Sequence, residues 1–130
     1  MRNLIATLAA SIVLTGCAIF PSYFDVNEQA KIADLVQLTS SDSVCAKDNI
    51  AQYVADLNDR TNWLVIYGNS LPNNQNLSDM YKSLHNMTDE FAKRYEGPTK
   101  PSNFYCKAKI KNLNDGASKT LEVSGKRPRP

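Results

Sequence analysis

The chain is poor in the residues from which most small-protein chemistry is built. It holds one histidine, three cysteines, one tryptophan and five glycines in 130 residues. A lone histidine, His85, and the lack of a C-x-x-C pair leave nothing with the spacing of a zinc site or a dithiol redox motif. The glycines form no phosphate-cradling loop, and no serine stands in a nucleophile-elbow context. The acidic residues are scattered along the chain. Catalytic residues, a metal and a cofactor are therefore not expected, and the composition, with 42% hydrophobic residues, is that of a folded protein.

The chain opens with one positive side chain, Arg2, and then "LIATLAASIVL", which carries no charge. This run is shorter than the roughly 20 apolar residues that a bilayer-spanning helix needs. It has the size of a signal-peptide core behind a basic start, and Thr15 and Gly16 supply the small residues of an extended cleavage site. A thiol at the first mature position can be alkylated by lipid. "LTGC", Leu14 to Cys17, resembles the lipobox of bacterial lipoproteins, a resemblance that covers about the first seventeen residues. It implies a signal peptide over 1–16, palmitate-type acylation of Cys17 and a lipidated tether over 17–24. With Ala18 in place of Asp after the cysteine, it also implies sorting to the periplasmic face of the outer membrane. Each buried CH₂ of an acyl chain adds about 0.8 kcal/mol, so several chains hold a small domain firmly.

Two cysteines remain, Cys45 and Cys106, sixty-one residues apart. In an oxidising compartment an even pair predicts one structural disulfide.

Apolar spacing organises the rest into one domain over 25–125. Ile32, Leu35, Val36 and Leu38 predict a short helix from about 25 to 39 with Asp25 or Asn27 as its cap, broken by "TSSDS". Ile50, Tyr53, Val54, Leu57, Thr61, Leu64 and Val65 step by threes and fours and predict a second helix, with Asp48 at its positive end and Gly68 as a left-handed C-terminal residue. Leu77, Met80, Tyr81, Leu84, Met87, Phe91 and Tyr95 predict a third, stopped by Gly97 and Pro98. In the last segment, Phe104 to Lys111 alternate as in a strand. Cys106, Ile110, Leu113, Ala117, Leu121 and Ser124 nevertheless keep helical spacing over five turns, and length decides for a helix with Ser102 as its N-cap and Gly125 as its left-handed C′ residue ahead of Pro128, with Gly116 as an internal cost. The expected fold is an all-α, up-down bundle of about four helices. In that topology Cys45 and Cys106 fall at the same end, as a disulfide requires.

Charge is split along the chain. Residues 17–96 hold six Lys and Arg against eleven Asp and Glu, while residues 97–130 hold eight against two. Basic helix four can lie against its acidic neighbours, and the tail 126–130, with Lys126, Arg127 and Arg129, can meet lipid phosphates, cell-wall carboxylates or an acidic protein. Trp63 and Tyr67 in "WLVIY" sit on a polar flank of the second helix and form a candidate hot spot, or else pack under helix one. These features predict a non-catalytic, outer-membrane-anchored lipoprotein whose periplasmic domain binds an envelope protein and no nucleic acid. Its architecture resembles small helical lipoproteins such as secretion pilotins. The alternatives are a phage outer spanin, the lipoprotein half of a lysis complex, which the lipobox and Pro-containing basic C-terminus resemble, and a small periplasmic enzyme.

Overall fold

A computed structural model describes residues 22–130; the expected signal peptide over 1–16 and the expected lipidation site Cys17 lie outside them. Asp25 has extended backbone, and its carboxylate accepts the N–H groups of Asn27 and Glu28 at 2.9 Å each. That cap starts α1 (Val26–Leu38). At its other end Thr39 and Ser40 turn their hydroxyls back onto the carbonyls of Leu35 and Gln37 at 2.8 and 2.7 Å. Asn114, from the far end of the sequence, donates to the carbonyl of Val36 at 3.0 Å. The orphan carbonyls of the last turn are thereby satisfied, and the helix stops.

Asp42–Ala46 then form a 3₁₀ turn, an element that periodicity did not predict because five residues are too few to show a period. α2 (Ile50–Ser70) follows, two residues past Asp48. Leu71 to Asn74 make the next turn, in which Asn73 takes a φ of 56°, a left-handed conformation that Asn tolerates better than most residues. α3 (Gln75–Glu96) ends at Gly97, and Ser102, accepting the N–H of Tyr105 at 3.1 Å, caps α4 (Asn103–Gly125).

Neither Gly68 nor Gly125 takes the left-handed role that the sequence suggested, since both lie inside helices and no glycine among the described residues has positive φ. Gly68 is needed for space. A Cβ there would sit 2.6 and 2.7 Å from Cδ2 and Cε2 of the Tyr81 ring, so only glycine lets α3 approach α2 at this level. At the internal Gly116 a Cβ would meet only the end of the Leu84 side chain, at 3.0 Å, a tight contact from which Leu84 would have to shift slightly.

The helices run up-down-up-down. Each packs on its sequence neighbour, and α4 closes the ring on α1. Ile32, Leu35, Leu57, Leu77, Phe91 and Leu113 are fully buried in the shared core. Burial of each such side chain is worth about 1.5–3 kcal/mol relative to exposure. Because α1 is only 13 residues long against 21 to 23 for the others, the 3₁₀ turn fills the space above it, placing Val44 in the core. Cys45 on that turn bonds to Cys106 in the first turn of α4, with 5.9 Å between Cα atoms.

Polar groups fix the α2–α3 register. The buried hydroxyls of Thr61 and Thr88 lie 2.6 Å apart, Thr88 donates to Asn58 Oδ1 at 3.0 Å, and His85 Nδ1 is 3.1 Å from Thr61. A slip of α3 along α2 would leave these groups unpaired inside the protein.

Candidate binding surfaces at the two poles

At one pole α1 and α3 begin and α2 and α4 end. The chain enters and leaves there side by side, as Phe24 N–H donates to the carbonyl of Pro128 at 2.9 Å. Beneath this contact lies a carboxylate, Glu28, with no exposed surface. Read as sequence it is one more acid in a first helical turn, but α1 turns it inward. Tyr81 on α3 donates to its Oε1 at 2.5 Å, Asn74 Nδ2 donates to the same oxygen at 2.9 Å, and Arg127 Nη1 reaches Oε2 at 3.1 Å. Arg127 also donates to Asn74 Oδ1 and, at 3.4 Å, to the carbonyl of Tyr23. Asn74 heads α3 without capping it, because its amide is turned inward onto Glu28 and the Gly68 carbonyl. Burial, reinforced by the bond to Glu28, pushes the Tyr81 hydroxyl far above its ordinary value, so it remains a donor.

This network corrects the reading of the basic tail. Arg127 is unavailable to an anionic surface, because its side chain keeps only 9% of its exposure and is held by Glu28. Lys126 is exposed but paired with Glu122 at 2.6 Å, and Arg129 lies over the ring of Phe24 at 4.4 Å. Apart from Arg127 on Glu28, no cation of α4 or of the residues after it pairs with an acid of another helix among the described residues. The other ion pairs of α4, Lys111–Asp115, Lys119–Glu122 and Lys126–Glu122, lie within the helix or its cap, are solvent-exposed and are worth little.

Trp63 and Tyr67 stack at 4.6 Å between ring centroids on the flank of α2 that faces α1. Tyr67 is tied down, its hydroxyl 3.2 Å from Asp25 Oδ2 and 3.1 Å from Asn27 Nδ2. Trp63 keeps 36% of its surface, with Lys31 Nζ 5.6 Å from its ring centre. The pair is thus partly the packing under helix one and partly an exposed aromatic.

The opposite pole holds the disulfide and a feature that sequence reasoning missed. Phe104, treated there only as one step of an ambiguous alternation, is 84% exposed at the start of α4. Beside it Tyr105 packs edge-on against Phe91 at 6.0 Å and carries Arg94 and Lys109 at 5.1 and 5.4 Å from its ring centre. Lys107 shares the Phe104 side of the helix, three residues on. Among the described residues none of Arg94, Lys100, Lys107 and Lys109 has an ion-pair partner. These cations stand at the distal pole rather than at the tail, alongside the acids Asp42, Asp48 and Glu96, which also have no ion-pair partner among the described residues.

His85 is half-buried, and the threonine hydroxyls beside it are closed off from solvent. The open cleft of about 460 Å³ between α1, the 3₁₀ turn and α2 is lined by Asp34, Lys47, Tyr53 and Arg60 among others, and the last two are already engaged. Arg60 is held by Asp56 at 2.8 Å, and Tyr53 donates to the Leu38 carbonyl. Among the described residues no group of three His, Cys, Asp or Glu side chains is placed to hold a metal ion, and no helix is long and apolar enough to cross a membrane. No family model, curated protein or solved structure matches the chain.

Proposed function

We propose that this chain is a non-catalytic lipoprotein, held by acylated Cys17 on the periplasmic face of the outer membrane, whose helical domain binds an envelope protein. The observation that carries this reading is the polarity of the domain. The chain following "LTGC" enters at one pole, and the exposed aromatic among unpaired cations stands at the other. An exposed aromatic that a partner can bury, with Arg close by, has the make-up of a protein-binding hot spot, and the cations beside Phe104 favour an acidic partner. The contact of Phe24 with Pro128 keeps residues 126–128 at the tether pole, which counts against the spanin alternative, in which the segment after the last helix is directed away from the membrane.

Cys17→Ser is expected to abolish incorporation of a fatty-acid probe and to leave an unprocessed precursor. Unchanged labelling would remove the lipid anchor from the proposal. For the partner, a photoreactive residue in place of Phe104 is expected to give one discrete protein adduct in the envelope, weakened by Lys107→Glu. Adducts that ignore the charge reversal would overturn the assignment of the distal pole.

A further inference from the structure

Five large apolar side chains stay exposed among the described residues, and four of them gather near the tether. Tyr23 (53%) and Val26 (68%) lie where the chain enters α1, and Trp63 (36%) and Ile66 (64%) lie on the last turns of α2. The two segments are neighbours, bridged by Tyr67 to Asp25 and by Lys31 over Trp63. Two residues from a buried position is about 200° of helix, so Val26, two before Glu28, and Ile66, between Leu64 and Gly68, point directly away from the core. Neither is among the side chains packed against the core.

The composition of this edge is that of an interface between oil and water. Trp and Tyr have an apolar body and a polar tip, and Lys31 and Arg129 hold their charged ends over the aromatic faces of Trp63 and Phe24. Farther from the pole the same edge turns acidic, with Asp34 on α1 and Asp56 and Asp59 on α2. Chain length supplies the occupant. Only residues 18–21 separate Cys17 from Ser22, and an extended chain spans at most about 3.5 Å per residue, so an acylated Cys17 keeps this pole within roughly 20 Å of its lipid.

We infer that the α1–α2 edge of the tether pole rests on the lipid headgroups, with Trp63, Ile66, Val26 and Tyr23 in contact and the acidic turns above them in water. This rests on the anchoring of Cys17 proposed above. It goes further by fixing how the domain sits, with the distal pole turned away from the membrane.

Trp63 is the single tryptophan, so its fluorescence reports on this edge alone. The acylated mature protein is reconstituted into vesicles of phosphatidylethanolamine and phosphatidylglycerol. Flotation with the vesicles tests the anchor. Lipids brominated near the headgroup are expected to quench Trp63 roughly twofold and acrylamide to lose most of its effect, as for an interfacial tryptophan. Val26→Ser/Ile66→Ser, with an unchanged melting curve, is expected to reverse both. Failure to float would sink the anchoring reading. Flotation with full acrylamide quenching and no effect of bromine would overturn this inference alone. Protection from both quenchers would assign the edge to a second copy of the chain, and overturn it too.

Discussion

Replacing Arg127 by methionine is expected to cost the fold about 3–5 kcal/mol, because it strands the Glu28 carboxylate in a site with no access to water. In a domain of this size that is a fall in melting temperature on the order of 20 °C. The large effect comes from what is left behind, since methionine keeps the apolar length of the arginine stem. Glu28→Gln is expected to cost less, as a glutamine oxygen can still accept from Tyr81 and Asn74. The double variant Glu28→Gln/Arg127→Met should recover at least about half of the single loss, since no charge is then buried. Thermal or urea unfolding of the three variants measures the cycle. A cost for Arg127→Met within the roughly 0.5 kcal/mol of ordinary surface changes would mean that water reaches Glu28, and the network would lose its structural role.

This network marks the boundary of what the sequence revealed. Helices, caps at Asp25 and Ser102, the up-down order and the Cys45–Cys106 pairing were legible because each depends on local spacing or on parity. Glu28 and Arg127 were not, since they are separated by 99 residues and each fits a commonplace local role, an acid in a first turn and a basic tail residue. Gly68 was misread for the same reason. "YGNS" after an apolar helix has the pattern of a helix stop, and only the tertiary approach of Tyr81 shows that the missing Cβ serves packing. Phe104 was overlooked in the opposite sense. Helical spacing from Cys106 already puts Phe104, two residues earlier, about 200° from the buried side, and the structure leaves it in solvent, but a single aromatic outside the periodic set carries no signal of its own.

Removal of the disulfide is expected to be the other large loss, and to fall on the pole where the partner is proposed to bind. The bridge closes a loop of 61 residues, which by loss of unfolded-chain entropy stabilises by about 4 kcal/mol. Cys45→Ala/Cys106→Ala should lower the urea midpoint by roughly 2–3 M and raise the slope, since the unfolded chain opens further. Dithiothreitol should do the same to the natural protein and nothing to the double variant, which separates the bridge from the small voids left by alanine. The α2–α3 pair, held by the Thr61–Thr88–Asn58 ladder, has no part in the bridge and should keep its helicity at low urea. The bridge ties the 3₁₀ turn directly to the first turn of α4, so faster amide exchange is expected at Asp42–Ala46 and Asn103–Cys106 when it is lost. Phe104 and Lys107 stand on that same turn, so reduction should also weaken the distal-pole adduct while leaving the tether pole unchanged. A midpoint that moves by less than about 0.5 M on reduction would show that the bridge constrains little in the unfolded chain, and the four helices would then hold the distal pole by packing alone.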